Sequence, residues 1–344
     1  MKKEPSVILV LLTTFSLFLS FYWFPSLSVA ETKGNNQSVA FTVKALLTEN
    51  QLTPENSYFD LEVTPNFSQE IQLELHNNTN EEITVENKFH LAKTNRNGLI
   101  EYSDRSGLES YRLEQTITKL VEIPKESRDV VIPPYQNRFV SIYIKIPDNH
   151  FQGVLLGGIE SQLKNSKQDE AQLTNNFSYI TALMLSEKKY VSANLNLLRA
   201  KADLVNDYRS INIKIANTTP AIANNVTIHA TLTQKNQTEV LKKSQLKSAT
   251  FAPNSVMDFQ IPWGNTDMKP GKYTVHTTAK STDNSWSWST DFDIKKEEAK
   301  KLNANAIDRF VLPKLWVILF ASCSLSVGIL LIVLNKRNRR RKAG

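Results

Sequence analysis

Along most of the chain, apolar residues recur at every second position. Ile71, Leu73 and Leu75 alternate with polar neighbours, and so do Val140, Ile142, Ile144 and Ile146. Farther on, Ile211, Ile213 and Ile215, then Val226, Ile228, Ala230 and Leu232, keep the same period. A strand turns successive side chains to opposite faces, so this period buries one face and leaves the other in water, as in antiparallel sheets. Turn-forming clusters separate the strands: Asn77-Asn78-Thr79-Asn80, Ile132-Pro133-Pro134, Asn217-Thr218-Thr219-Pro220 and Lys269-Pro270-Gly271. Many short strands with few helical stretches predict an all-β chain built of β-sandwiches.

The strand and turn order occurs twice. The strand ending in Leu75-His76-Asn77-Asn78-Thr79 is echoed by Ile215-Ala216-Asn217-Thr218-Thr219, and a strand follows each. Ile132-Pro133-Pro134 leads into one strand as Phe251-Ala252-Pro253 leads into another, and Gly153 and Gly271 each open a further one. The duplication predicts two tandem immunoglobulin-like β-sandwiches, at 31–187 and 188–296, with the boundary near Glu187-Lys188-Lys189. Two segments break the β pattern. Asp104 to Leu120 reads as an excursion with a helical turn or two, and the polar stretch Gln162 to Asn176 as a mobile hairpin tip. Glu297 to Arg309 favours helix, and residues 297–312 are expected to form a stalk.

The two ends follow a different rule. Leu315 to Leu334 is an uncharged run of about 20 residues, enough as a helix to cross roughly 30 Å of hydrocarbon. Pro313 starts or kinks it, so the span is placed at 313–334. Directly behind come Lys336, Arg337, Arg339, Arg340, Arg341 and Lys342, a cluster that holds the tail, 335–344, on the cytoplasmic side. At the other end, Lys2 and Lys3 precede an apolar stretch from Val7 to Phe24, then Pro25 and the small residues Ser28 and Ala30. This predicts a signal peptide over 1–30, cleaved after Ala30. The chain is therefore expected in the cell membrane as a single-pass protein. Its ectodomain would stand outside, within the cell wall, and its C-terminus in the cytoplasm. Leu312-Pro313 begins like a wall-sorting signal but continues Lys314-Leu315-Trp316, without the Thr-Gly pair that covalent transfer to the wall requires.

This topology changes the meaning of the net charge of +7. Once the basic tail and the leader are set aside, acids and bases balance, so the excess reflects orientation against anionic lipid headgroups. No basic patch interleaved with aromatics stands out, and nucleic-acid binding is excluded. The single cysteine, Cys323, falls inside the predicted span. An exported segment without disulfides must be stabilised by its core alone, which fits a single-membrane, Gram-positive envelope.

No catalytic or cofactor constellation is found. The five histidines, His76, His90, His150, His229 and His276, sit in separate predicted strands or turns, so no metal ligand set is expected. There is no phosphate loop, nucleophile elbow or calcium loop. Gly157-Gly158 lies between strand residues with no helix behind it. That reads as a bulge or close backbone approach, or else as a flat surface for a partner strand or glycan. Trp286, Trp288 and Phe292 share one strand face opposite Ser285, Ser287 and Ser289; this reads as core packing, or else as a stripe that stacks on sugar or peptide. Trp263, between Pro262 and Gly264 at a strand end, is expected to be exposed. Of Tyr58 and Phe59 at a strand start, alternation turns one inward and one outward. The binding candidates are thus Tyr58, Phe59, Gly157, Gly158 and Trp263.

Phe41-Thr42-Val43, Tyr58-Phe59-Asp60-Leu61, the Asn77-Asn78-Thr79 turn, Asn95 to Tyr102 and Gly153-Val154-Leu155-Leu156-Gly157-Gly158-Ile159 together resemble the N-terminal domain of the WxL-interacting proteins of Gram-positive bacteria. The second half resembles the C-terminal domain of that family. It does so through Ala202-Asp203-Leu204-Val205-Asn206, Asn217-Thr218-Thr219-Pro220-Ala221-Ile222, Ala252-Pro253-Asn254-Ser255, Pro270-Gly271-Lys272-Tyr273-Thr274, Trp286-Ser287-Trp288 and Glu298-Ala299-Lys300-Lys301-Leu302-Asn303. The resemblance runs from Phe41 to the predicted span. Ser57 and Asn66 stand where relatives often carry glycine. It implies peptidoglycan binding by the first domain and binding of host or partner proteins, such as host extracellular-matrix proteins, by the second. It also implies work beside WxL-domain surface proteins.

The expected function is that of a non-catalytic surface scaffold or adhesion protein, without cofactor, binding through sheet edges and loops. An extracellular sensor acting through a membrane partner is the alternative, and a wall hydrolase a third reading.

Overall fold

Strand alternation becomes sheet wherever turn residues let the chain reverse. The computed structural model describes residues 39–103, 109–110, 117–149, 151–164, 178–187, 190–308, 322 and 326–328. The predicted leader, the basic tail, nearly all of the predicted span and most of the Gln162–Asn176 tip lie outside the described residues. Among the described residues no helix is long and apolar enough to cross a membrane. The described residues from Phe41 onward belong to one contact unit. Strands dominate (58 %, against 9 % helix), as an all-β fold requires.

The strands of the first half are β1 (Phe41–Leu46), β2 (Phe59–Glu62), β3 (Ser68–Asn77), β4 (Ile83–Leu91), β5 (Lys93–Thr94), β6 (Ile100–Glu101), β7 (Glu109–Ser110), β8 (Val121–Glu122), β9 (Asp129–Ile132), β10 (Asn137–Lys145), β11 (Val154–Leu163) and β12 (Ser178–Ser186). A short helix, α1 (Lys125–Arg128), precedes β9. One sheet has the order β1-β3-β10-β8 and the other β2-β12-β11-β4-β9. Between them lie Phe41, Ile71, Leu73, Leu75, Val140, Ile142 and Ile144 from one side and Phe59, Leu61, Val85, Ile159, Leu183 and Leu185 from the other, all at most 1 % exposed. The predicted phase of β3 and β10 is thus the observed one. Each such side chain contributes roughly 1.5–3 kcal/mol by leaving water.

The second half comprises β13 (Leu195–Val205), β14 (Tyr208–Asn217), β15 (Ala223–Gln234), β16 (Val240–Phe251), β17 (Ser255–Pro262), β18 (Gly271–Lys280) and β19 (Ser285–Ile294), then helix α2 (Lys296–Asn305). Sheet β13-β14-β17-β7 packs on sheet β16-β15-β18-β19 through a core that includes Ile211, Ile213, Ile215, Val226, Ile228, Leu232, Phe251 and Phe259. Asn206 and Asp207 join β13 to β14 with both φ angles positive (49° and 63°), the backbone of a two-residue hairpin that matches strand twist. Asn66 also has positive φ (60°), a backbone that asparagine tolerates better than most residues.

The duplication extends to hydrogen-bond chemistry. Asn77, fully buried at the end of β3, donates from Nδ2 to the carbonyls of Glu81, Ile132 and Pro133, and its Oδ1 accepts from the Thr79 amide and hydroxyl. Asn217, fully buried at the end of β14, donates to the carbonyls of Ala221 and Ala252 and accepts from the Thr219 amide and hydroxyl. The Tyr135 amide reaches the Thr79 carbonyl (3.2 Å) as the Asn254 amide reaches that of Thr219 (3.1 Å). Tyr135 and Asn254 also share a left-handed backbone (φ 54° and 48°). One buried asparagine thus ties three chain segments together in each sandwich, because strand ends leave backbone groups that need partners.

The sandwiches meet through more than a linker. After β4 the β5–β6 hairpin crosses to the second half, where the Gly98 carbonyl accepts from the Thr250 amide (2.7 Å). The Thr94 hydroxyl accepts from the Ala252 amide (2.9 Å) and bonds the Ser255 hydroxyl, with both side chains buried. The Val154 amide donates to the Pro220 carbonyl (2.7 Å), and Ala92, Leu156 and Ala252 bury a small apolar cluster beneath Ile100, Tyr102, Met184 and Ile222. The described part of the Asp104–Leu120 excursion is β7, which pairs antiparallel with β17 of the second sandwich, and a 3-10 turn at Ile117–Lys119.

The described part of the expected stalk, 297–308, is helical through Asn305 and packs on the second sandwich. Ala299 of α2 is 2 % exposed in the second core, and Leu302 packs beside it. Asn303 accepts from the Arg209 Nε (3.1 Å) and the Met268 amide (2.9 Å) and donates to the Met268 carbonyl (3.0 Å). The otherwise polar sequence hid this anchorage, since two apolar positions and one asparagine dock the helix.

Candidate functional site

The five sequence candidates divide by burial. Phe59 is fully buried, with Tyr58 half-buried beside it, as alternation requires. Trp263 corrects the expectation of an exposed aromatic: it is 6 % exposed. It continues the inward phase of Met257, Phe259 and Ile261, so the strand period outlasts Pro262. Its ring meets Tyr273 edge-on at 5.9 Å, Tyr273 stacks on Phe292 at 5.8 Å, and the Lys242 ammonium lies 5.8 Å from the Trp263 ring centre. Trp286, Trp288 and Phe292 are partly buried against the same core.

Gly157 and Gly158 are buried and give no flat exposed surface. A Cβ on Gly157 would fall 2.4 Å from Phe89 Cζ, and one on Gly158 2.8 Å from Tyr102 Cβ. The pair admits an aromatic on each side of the sheet, which is the close-approach reading. Tyr102 covers Gly158, and Tyr58 lies close enough to affect its ionisation. Burial, with a smaller contribution from Tyr58, pushes the Tyr102 phenol up to about 12. The raised value means that the fold holds this proton more tightly than the unfolded chain, whose tyrosine titrates near pH 10. The stability from Tyr102 is therefore complete below pH 10 and is lost as pH rises toward 12. In a spectrophotometric tyrosinate titration Tyr102→Phe should remove a late-ionising phenol, leaving the one that burial raises at Tyr273.

The accessible binding geometry lies elsewhere, on the outer face of sheet β1-β3-β10-β8. Here Phe139 (56 % exposed) and Tyr143 (44 % exposed) stand on β10 with Ser141 between them. Opposite them on β3 are Glu74, Gln72 and Glu70, in register with Phe139, Ser141 and Tyr143. Hydrogen bonds fix these polar groups. Asn137 Nδ2 donates to Glu74 (2.5 Å), Ser141 Oγ to Glu70 (2.5 Å), and Gln72 Nε2 to Glu70 (3.0 Å) and Ser141 (3.3 Å). The donors on Glu70, Ser141 first and then Gln72, hold its carboxyl below the usual range. The sequence signal was present, because Phe139 and Tyr143 fall out of phase with the inward Val140, Ile142 and Ile144.

The second sandwich presents a different face, on sheet β16-β15-β18-β19. Gln245, His229, Thr278 and Ser287 form one cross-strand row, and Lys243, Thr231, His276 and Ser289 the next. Gln245 contacts His229 (3.3 Å), and Ser289 bonds His276 Nδ1 (2.5 Å). This surface is rich in hydroxyls and imidazoles. Among the described residues no group of His, Cys, Asp or Glu could hold a metal ion.

Comparisons with known proteins add the family. No curated protein matches the chain. Solved structures that match include the Escherichia coli chaperone DraB (13 % identity, 74 % of this chain and 98 % of that one, TM-score 0.29). The PapD-like domain 7 of human CEP192 also matches (10 % identity, 44 % and 87 %, TM-score 0.27). Both likenesses are too distant to bear on function. Two family models match in order: the WxL Interacting Protein peptidoglycan binding domain over residues 41–162 and the host binding domain over 168–304. β12 falls within the second match although it pairs with β11 and β2 of the first sandwich. With both of its domains matched in sequence order, the chain belongs to the WxL Interacting Protein family.

Proposed function

We propose that this protein is a membrane-anchored, non-catalytic scaffold of the cell surface. Its first sandwich binds peptidoglycan, and its second holds a WxL-domain protein or a host protein. The observation that carries this reading is the ordered match of two binding-domain families to two consecutive sandwiches. The docking of α2 supports the arrangement. From its end at Asn305 to the predicted span at 313 the chain extends at most roughly 28 Å, so the second sandwich stays near the membrane. Tethering keeps both faces at high local concentration near their targets, so weak contacts suffice.

Co-sedimentation of the full chain in mild detergent with insoluble peptidoglycan tests this, with and without an added WxL-domain protein. The chain should pellet with the wall and retain the WxL protein there. A chain that stays in the supernatant, or that clears the peptidoglycan suspension, overturns the proposal.

A further inference from the structure

We infer that the outer face of β10 and β3 is a glycan-binding platform, on which Phe139 and Tyr143 stack against the sugar rings of an uncharged N-acetylhexosamine strand while Glu70, Gln72, Glu74 and Ser141 take up its hydroxyl and amide groups. This rests on the peptidoglycan reading of the first sandwich and names its site and the part of the polymer it holds.

The inward neighbours of these aromatics on β10, Val140, Ile142 and Ile144, are at most 1 % exposed, so the sandwich core is complete without Phe139 and Tyr143. Two large aromatics left open on one strand face, beside a row of ordered polar groups, are the two halves of a sugar site. A pyranose presents apolar C–H groups on its faces and hydroxyls around its rim. An aromatic ring takes the face and polar side chains take the rim.

Spacing and rigidity agree with this. Phe139 and Tyr143 are four residues apart on a strand, about 13 Å, a span that covers about two linked hexoses. The polar groups beside the rings are held by one another. Glu70 accepts from both Ser141 and Gln72, and Asn137 holds Glu74, so they require little further ordering on binding. Carboxylates are acceptors only and suit sugar O–H and N–H donors.

Charge selects the occupant. Glu74 and Glu70 lie beside the rings on the neighbouring central strand and Glu122 flanks Tyr143, while the cations of this face, Lys44 in register with Glu74 on β1 and Lys145 at the end of β10, stand at its margins. A polyanion such as teichoic acid would meet carboxylates along the centre of the face, whereas an uncharged glycan meets acceptors.

The test uses the full chain in detergent and three probes. The first is sacculi stripped of wall polymers, the second soluble oligomers of N-acetylglucosamine, which carry neither charge nor stem peptide, and the third isolated teichoic acid. The native chain should bind the first two and not the third. Phe139→Ala with Tyr143→Ala should weaken both by at least about tenfold, each single change by less, with unfolding unchanged because neither side chain fills the core. Tyr190→Ala, which removes an aromatic 85 % exposed outside this face, should have no effect. A double variant that binds stripped sacculi as the native chain does overturns the platform and leaves the peptidoglycan reading intact. Binding that follows stem peptides or teichoic acid overturns the choice of glycan. A native chain that ignores sacculi removes the peptidoglycan reading and the platform with it.

Discussion

Asn217→Ala should lower the stability of the second sandwich by about 3–4 kcal/mol, the upper range for a single substitution. The side chain is fully buried, and both carbonyls it serves, Ala221 at 2.6 Å and Ala252 at 3.0 Å, are in buried hydrogen bonds. Removing the amide leaves the Ala221 carbonyl without partner or water, leaves the Ala252 carbonyl only the Ser255 hydroxyl, and takes the acceptor from the Thr219 amide and hydroxyl, at about 1–3 kcal/mol for each group left unpaired. The equivalent change at Asn77 should have a smaller effect, about 2–3 kcal/mol. Of its three carbonyl partners only that of Ile132 is in a fully buried bond, and water can reach the others. Denaturant unfolding followed by tryptophan emission reports the first variant well, since Trp263, Trp286 and Trp288 all lie in that sandwich. Asn217→Asp is the sharper probe. It keeps the shape but points a carboxylate at two carbonyls, so its folded pKa is raised. Its stability should be greatest below the ordinary aspartate range and fall as pH rises through the raised value. Equal stability of Asn217→Ala and the native chain would mean that the asparagine corner is not what closes the sandwich.

Gly98→Ala should loosen the sandwiches from each other by about 2–4 kcal/mol without unfolding either. Gly98 sits at the tip of the β5–β6 hairpin with φ +70°, and a Cβ there would lie 2.5 Å from Ala249 Cβ and 3.0 Å from the Ala249 backbone. The tip must withdraw, and with it go the Gly98–Thr250 bond and the Thr94 contacts to Ala252 and Ser255. Calorimetry should show one cooperative transition dividing into two. Gly264→Ala separates the causes: its φ is also positive (+94°), but a Cβ would meet only Lys242 Nζ at 3.7 Å. It should incur backbone strain, about 1 kcal/mol, and leave the junction closed. A Gly98 variant that keeps a single transition would show that the hairpin does not couple the two halves.

Much of the core is legible because strand period is local. Ile71, Leu73, Leu75, Val140, Ile142 and Ile144 declare their inward face in the sequence, and alternation pairs a buried Phe59 with a half-exposed Tyr58. The turn pair Asn77–Thr79 and Asn217–Thr219 is readable as a repeat. That each asparagine is buried as a three-segment tie is not, since its partners at Ile132 and Ala252 are 55 and 35 residues away. Trp263 is misread because a Pro-Trp-Gly string suggests a turn, while the phase of Phe259 and Ile261 carries the ring inward. Helix α2 is visible in the sequence, but its docking depends on Arg209 and Met268, remote residues that its own composition does not reveal.

By itself the sequence determined the class of fold, the twofold strand order and which side of each strand faces oil, because a two-residue period and turn chemistry act over neighbouring residues. Only the tertiary structure decided that Gly158 lies under Tyr102, that a hairpin of the first half locks onto the second, and that Phe139 and Tyr143 share an open face with Glu70 and Glu74. Those relations arise when segments more than fifty residues apart are brought together, and register is set by packing of the whole sheet.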